Sequence, residues 1–352
     1  MSATLPDVRP GAASADAAPG RARLRLRWLA AGVAAVVVAA TAGLTLGPVR
    51  LNPVHVLGEL VGWHTLGPRE AAIVTELRLP RVVLGLLVGA MLALAGGCYQ
   101  GIFRNPLADP YLLGVAAGAG LGATVAIALR SDNAGPTPIT LVPAAFVGAL
   151  GAVALTYALG AAARSPATLI LAGVAVSTFL AAGQTYLQQR HSDTIREVYS
   201  WLLGRLATAG WHDVLLVLPY AVVTATAIIA HRRTLDVLSV GDDEAASLGI
   251  NPQRTRLLLI VAASLGTAAA VAVSGLIGFV GIIVPHTVRL LAGASYRVIL
   301  PLSALFGAAF LTLADLAARL VLAPAEIPIG VVTAFFGAPF FVIVLRNASR
   351  ST

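Results

Sequence analysis

The chain has 352 residues, 58% of them hydrophobic and only 11% charged, with a formal net charge of +8. Soluble chains carry charge at about 25% of positions, so a soluble single-core enzyme is excluded. The arginines stand at the ends of apolar runs, as interfacial anchors do, and not on a polar surface, which excludes a nucleic-acid role for the positive charge.

All 24 basic residues are arginine. A Walker A loop needs a lysine at its Gly-Lys-Ser/Thr end, so any ATP that drives this chain binds to another subunit. The single cysteine, Cys98, leaves no intrachain disulfide and no multi-cysteine metal site. Neither a resident cofactor nor a bound metal is expected, and no paired carboxylates, Ser–His–Asp set or HExxH motif suggests catalysis.

In chain order, residues 1–27 read as a disordered cytosolic tail of Ala, Pro, Gly and Asp that ends in Arg21, Arg23, Arg25 and Arg27. The apolar run from Trp28 to Leu46 imitates a signal peptide, but it is long for one and many spans follow, so it is read as a retained first helix. Residues 28–350 then form one all-α, polytopic membrane domain. Its ten span cores fall near 28–46, 80–100, 111–129, 139–162, 167–187, 212–231, 256–275, 277–293, 299–317 and 329–346. An even number returns the C-terminus to the cytosol, where Arg346 and Arg350 obey the positive-inside rule. Arg104, Arg164, Arg232, Arg233, Arg254, Arg256 and Arg297 fall on the same side. Small residues such as Gly85/Gly89, Gly114/Gly118/Gly122 and Gly148/Gly151 predict close helix–helix approach.

Four stretches are not ordinary spans. Arg78-Leu79-Pro80-Arg81 opens the second span on the outer side, against the positive-inside trend, which favours an acidic partner there. Arg104-Asn105-Pro106-Leu107-Ala108-Asp109-Pro110 is a tight polar connection between spans two and three, either a simple loop or a constriction at an inner mouth. Gly241–Gly249 reads as one short helix with an Asp N-cap, acids in the first turn and a glycine terminator. It can lie on a partner protein or be a plain surface helix. Near the outer end of the last two spans, Asp315 and Arg319 stand at i,i+4 and can pair, and Glu326-Ile327-Pro328 follows. His286, after Pro285, is the one intramembrane histidine candidate, and a hydrogen bond to a nearby carbonyl accounts for it.

Together these segments resemble the FecCD/BtuC-type permease family, the membrane subunits of ABC importers for ferric siderophores, haem and cobalamin. The resemblance is carried by Arg78–Arg81, Gly101–Pro110, Gly241–Pro252, Gly278–Gly281 through Pro285-His286 and Arg289, Glu326–Thr333, and Gly337-Ala338-Pro339. It runs from about residue 50 to 347, in the family's order.

The resemblance implies a type II ABC importer permease, not itself an enzyme, in the cell membrane of a bacterium, with both termini cytosolic. It implies two cytosolic ATPase subunits, an extracytoplasmic substrate-binding protein, and a second permease subunit, expected as a homodimer. It matches the family's docking arginines to Arg78, Arg81 and Arg319. The ATPase coupling helix falls on Asp242, Asp243, Glu244, Ala245, Ala246, Ser247, Leu248 and Gly249, and the cytosolic gate on Asn105 and Leu107. The pathway is implied to run along the fifth and tenth spans at the dimer axis. The expected cargo is an iron(III)–siderophore complex, with cobalamin or haem as alternatives. An ion-coupled secondary transporter is the rival from another class. It needs acids near midplane, whereas Glu76, Asp109, Asp193, Asp242 and Glu326 are all read as lying outside the spans.

Overall fold

The computed structural model describes residues 26–129, 138–160 and 166–348. Most of the N-terminal tail, Arg164 and Arg350 lie outside the described residues. The helices in order are α1 (Leu26–Thr45), α2 (Pro53–Leu60), α3 (Pro68–Ala72), α4 (Leu79–Ile102), α5 (Val115–Ala128), α6 (Pro138–Gly160), α7 (Pro166–Arg190), α8 (Ile195–Leu202), α9 (Trp211–Ala230), α10 (Arg232–Val240), α11 (Asp242–Ser247), α12 (Pro252–Ser274), α13 (Val280–Ala292), α14 (Tyr296–Leu320) and α15 (Ile329–Ala348). A π-helical turn, Ile73–Arg78, joins α3 to α4.

Ten of these are the spans expected from the apolar runs. Seven are long and apolar enough to cross a membrane, while α5, α13 and the Ile329–Val344 part of α15 are shorter apolar helices. The second span differs from expectation. Its helix begins at Pro68, not near residue 80, and continues for 35 residues to Ile102. At 1.5 Å per residue that is about 52 Å, well over a hydrocarbon core of about 30 Å. Arg69, Glu70 and Glu76 hide this extension from an apolar-run reading. Pro68 sits at a first helical position, where its missing N–H costs nothing.

The core is built around α4, which packs against α9, α12, α13 and α14. Small residues set the spacing. A methyl on Gly89 would stand 2.3 Å from the Gly307 carbonyl of α14, and one on Gly118 would stand 2.2 Å from the Gly148 carbonyl of α6. At both crossings the backbones touch, which supplies the dispersion contact that associates helices in lipid. Gly151, also expected at a close crossing, has open space beside it.

Two stretches of non-helical backbone meet inside the bundle. Tyr111, from the connection between α4 and α5, donates its hydroxyl to the Ile277 carbonyl (2.9 Å) and accepts the Ile277 N–H (3.1 Å). Irregular backbone at this depth is tolerated only where protein satisfies its polar groups, and these two breaks satisfy each other. Phe279 holds φ +70°, costly for a residue with a side chain, and packs against Gly337 of α15.

Candidate docking and coupling sites

At one end of the bundle lie Arg78, Arg81, Asp315, Arg319 and Glu326. The sequence reading placed the arginines as outward-facing cations. The structure buries all three, and each is engaged by its own chain. Arg78 donates to the Leu44 carbonyl (2.8 Å), the Thr45 carbonyl (3.2 Å) and the Val49 carbonyl. Those groups belong to the end of α1 and the turn after it, where helix carbonyls lack intrahelical partners and the dipole favours a cation. Arg78 thus caps α1 from the neighbouring helix.

Arg81 is held on two edges. Its Nε donates to Asp315 Oδ2 (3.0 Å) and its Nη2 to Asp315 Oδ1 (2.8 Å). Nη1 and Nη2 also donate to the two oxygens of Glu326, both at 2.9 Å. Planar guanidinium and carboxylate match in this two-pronged geometry. Arg319 pairs with Asp315 (3.3 Å), the i,i+4 contact foreseen in the sequence, and donates to the Gly43 carbonyl (3.2 Å). Three guanidiniums face two carboxylates, so the cluster is net positive although no member is free. Arg81, Arg319 and Asp315 are paired with one another, which avoids the several kcal/mol an unpaired buried charge costs, while Arg78 is met by backbone carbonyls alone.

At the opposite end, the sequence missed an element. The link between α9 and α12 holds two helices, α10 and α11. Leu235 and Leu238 of α10 are buried, Leu235 against Gly101 of α4. Asp236 accepts the Ser295 hydroxyl (2.8 Å) and the Tyr296 N–H and pairs with Arg297 (3.2 Å), locking α10 to the start of α14. α11 starts at Asp242 with Gly241 as its N-cap, and Gly249 at φ +75° ends the turn. The cap was expected to be an aspartate. Asp242 is recruited elsewhere: it accepts from Arg256 of α12 (2.9 Å) and from Arg104 of the α4–α5 connection.

Arg104 ties this end together, because it also donates Nε to the Leu238 carbonyl (3.0 Å). The next residue is Asn105, whose side chain accepts the Leu107 N–H (2.9 Å) and fixes the turn. The predicted gate residues and the predicted coupling helix are therefore neighbours, joined through Arg104 and Asp242. On α11 itself, Ala245 is buried against the bundle, while Asp243, Glu244, Ala246, Ser247, Leu248 and Gly249 present an exposed face. His286 of α13 lies near the carbonyl of Pro106, so α13 also approaches this turn, and its Nδ1 is buried without a hydrogen-bond partner among the described residues.

Ten apolar helices around two internal chain breaks, with an arginine cluster at one end and a braced acidic helix at the other, define a multi-pass membrane protein. The sequence model of the FecCD transport family matches residues 35–347, and the chain belongs to that family. It is 48% identical over 277 residues to the cobalamin import system permease protein BtuC of Halobacterium salinarum, covering 78% of this chain and 73% of that one. It is 37% identical over 305 residues to the Fe(3+)-citrate import system permease protein YfmD of Bacillus subtilis, covering 86% of this chain and 90% of that one. Among solved structures it resembles a metal-chelate type ABC transporter in an inward-facing conformation, with TM-score 0.81, 32% identity, and coverage of 91% of this chain and 99% of that one.

Proposed function

We propose that this permease is the membrane subunit of an ATP-driven importer that passes an iron(III)–siderophore complex from an extracytoplasmic binding protein into the cytosol. In this reading the arginine end faces outward and both termini lie inside. The binding protein docks over the cluster of Arg78, Arg81 and Arg319, drawn by its excess positive charge. Two ATPase subunits receive the exposed face of Asp242–Gly249, and Asn105 and Leu107 gate the inner mouth.

One observation carries the proposal: the helix offered to the ATPase is fastened to the gate turn through Asp242 and Arg104. A push on α11 is thereby delivered to Asn105 and Leu107 without an intervening flexible link. A second copy of the chain pairs along α7 and α15, which expose Leu171, Phe179, Phe335, Phe336 and Ile343. The cobalamin-import relative at 48% identity favours a second reading, in which the cargo is cobalamin.

The test is uptake into proteoliposomes that hold this chain, its ATPase and its binding protein, with labelled ferric siderophore, cobalamin and haem in parallel. ATP-dependent uptake of the siderophore is expected. ATP-dependent uptake of cobalamin alone selects the second reading. Uptake that runs on a proton or sodium gradient without the ATPase overturns both.

A further inference from the structure

Beside Arg81 lies a recess of about 250 Å³, lined in part by Ser200, Arg205, Thr208, Asp315 and Glu326. It is too small for a metal chelate, since small-molecule sites run at about 300–1,000 Å³, but it is ample for one side chain. Two of its features are not explained by packing. The first is Arg205. Its backbone is pinned, the N–H donating to the Ser274 carbonyl at 2.7 Å just after Gly204 at φ +75°. Its side chain is exposed and has no ion pair or hydrogen bond among the described residues. The second is the inequality of the two carboxylates on Arg81. The Asp315 side chain is 4% exposed and sits between two guanidiniums, whereas that of Glu326 is 39% exposed. Glu326 stands in the link between α14 and α15, held on its C-terminal side by the Ile327 N–H to the Ala318 carbonyl (3.0 Å).

We propose that this recess receives a single carboxylate side chain of the extracytoplasmic binding protein, that Arg205 is its first contact, and that Glu326 is the internal carboxylate it displaces from Arg81. This rests on the docking reading above. Glu326 bonds only through Nη1 and Nη2, while Asp315 holds Nε, so Arg81 keeps a partner throughout the exchange. An incoming carboxylate takes over the same two N–H groups, and charge is conserved at Arg81. Released Glu326 turns to water from a site that is already part-exposed. Docking on this scheme is an exchange of like for like, with Arg205 supplying the added attraction that tips it. Glu326 thereby sets a threshold against weakly acidic passers-by.

The experiment measures docking of the cognate binding protein to the complete permease–ATPase complex in nanodiscs, at low and high salt. R205Q is expected to weaken docking about two- to fivefold at low salt, with the difference shrinking at high salt. E326Q removes the competing charge and is expected to tighten docking by a similar factor. Unchanged affinity in R205Q at low salt, or weakened or unchanged affinity in E326Q, overturns the proposal while wild-type docking stands. If the wild-type complex does not bind its binding protein at all, the docking reading itself fails and takes this proposal with it. Arg205 is exposed and unpaired, so R205Q decides the matter even if E326Q does not assemble.

Discussion

The two ends of the bundle use arginine differently. At the arginine-cluster end, three guanidiniums and Asp315 are buried together, so their charges are spent on joining α1, α4 and α14. At the α11 end, Arg256 is buried but its partner is not: the Asp242 side chain is 44% exposed against 9% for Arg256. The first arrangement is a structural knot with one open edge. The second is a bracket that holds an exposed helix at a fixed angle. A buried knot fails as a unit when one charge is removed, because its partners are stranded. A half-exposed bracket is screened by water and salt, and its loss costs little stability.

The strongest way to break this contrast is Asp315→Ala. It leaves Arg81 with Glu326 alone and Arg319 with no carboxylate, so a destabilisation of about 3–5 kcal/mol is expected. Thermal unfolding of the purified chain in detergent reads it directly. A loss under about 1 kcal/mol would mean that water reaches the knot and that the two ends are alike.

Replacing Asp242–Leu248 with a flexible linker sharpens the contrast from the other side. Stability is expected to change little, since Ala245 is the only buried side chain of that helix. Transport, however, is expected to fall to background while the ATPase still turns over. Coupled transport after this change would make α11 a mere connector. A smaller effect is expected from Arg256→Gln, which removes one of the two cations on Asp242 and is worth about 0.5–1 kcal/mol for a part-exposed pair. Its signature is a lowered ratio of transport to hydrolysis, with hydrolysis itself unchanged.

The spans were legible because an apolar run of membrane length has few other readings. The Asp315–Arg319 pair was legible because helical spacing alone brings i and i+4 together. The rest depended on contacts between distant parts of the chain. Arg81 meets Asp315 and Glu326 across 234 and 245 residues, and no local pattern announces that. Arg78 and Arg81 were therefore read as facing an acidic partner outside the chain, whereas Arg81 is paired within it and Arg78 is held by backbone carbonyls. α10 was passed over because Arg232, Arg233 and Asp236 make it look like a polar link. Its signal was the spacing of Leu235 and Leu238, three apart on one face, and both are buried. Gly241 took the cap expected of an aspartate because two arginines, from residues 104 and 256, compete for the Asp242 carboxylate.

The bracket also has a pH signature. Burial pushes the Asp242 carboxyl up, but Arg256 and Arg104 outweigh burial and hold it below its ordinary value. A depressed acid contributes stability above its unfolded pKa of about 4 and loses it as the pH falls through its folded value. The α11 bracket is therefore fully formed at pH 7 and at pH 5, and loosens only below about pH 4. Hydrogen exchange of the amides at residues 242–250, corrected for intrinsic pH dependence, is expected to stay flat from pH 7 to 5 and to rise below pH 4, about where the free carboxyl titrates. Asp242→Asn should remove the step and leave exchange at the loosened level throughout. Loosening that begins between pH 6 and 7 in the wild type would assign control of α11 to a group other than Asp242.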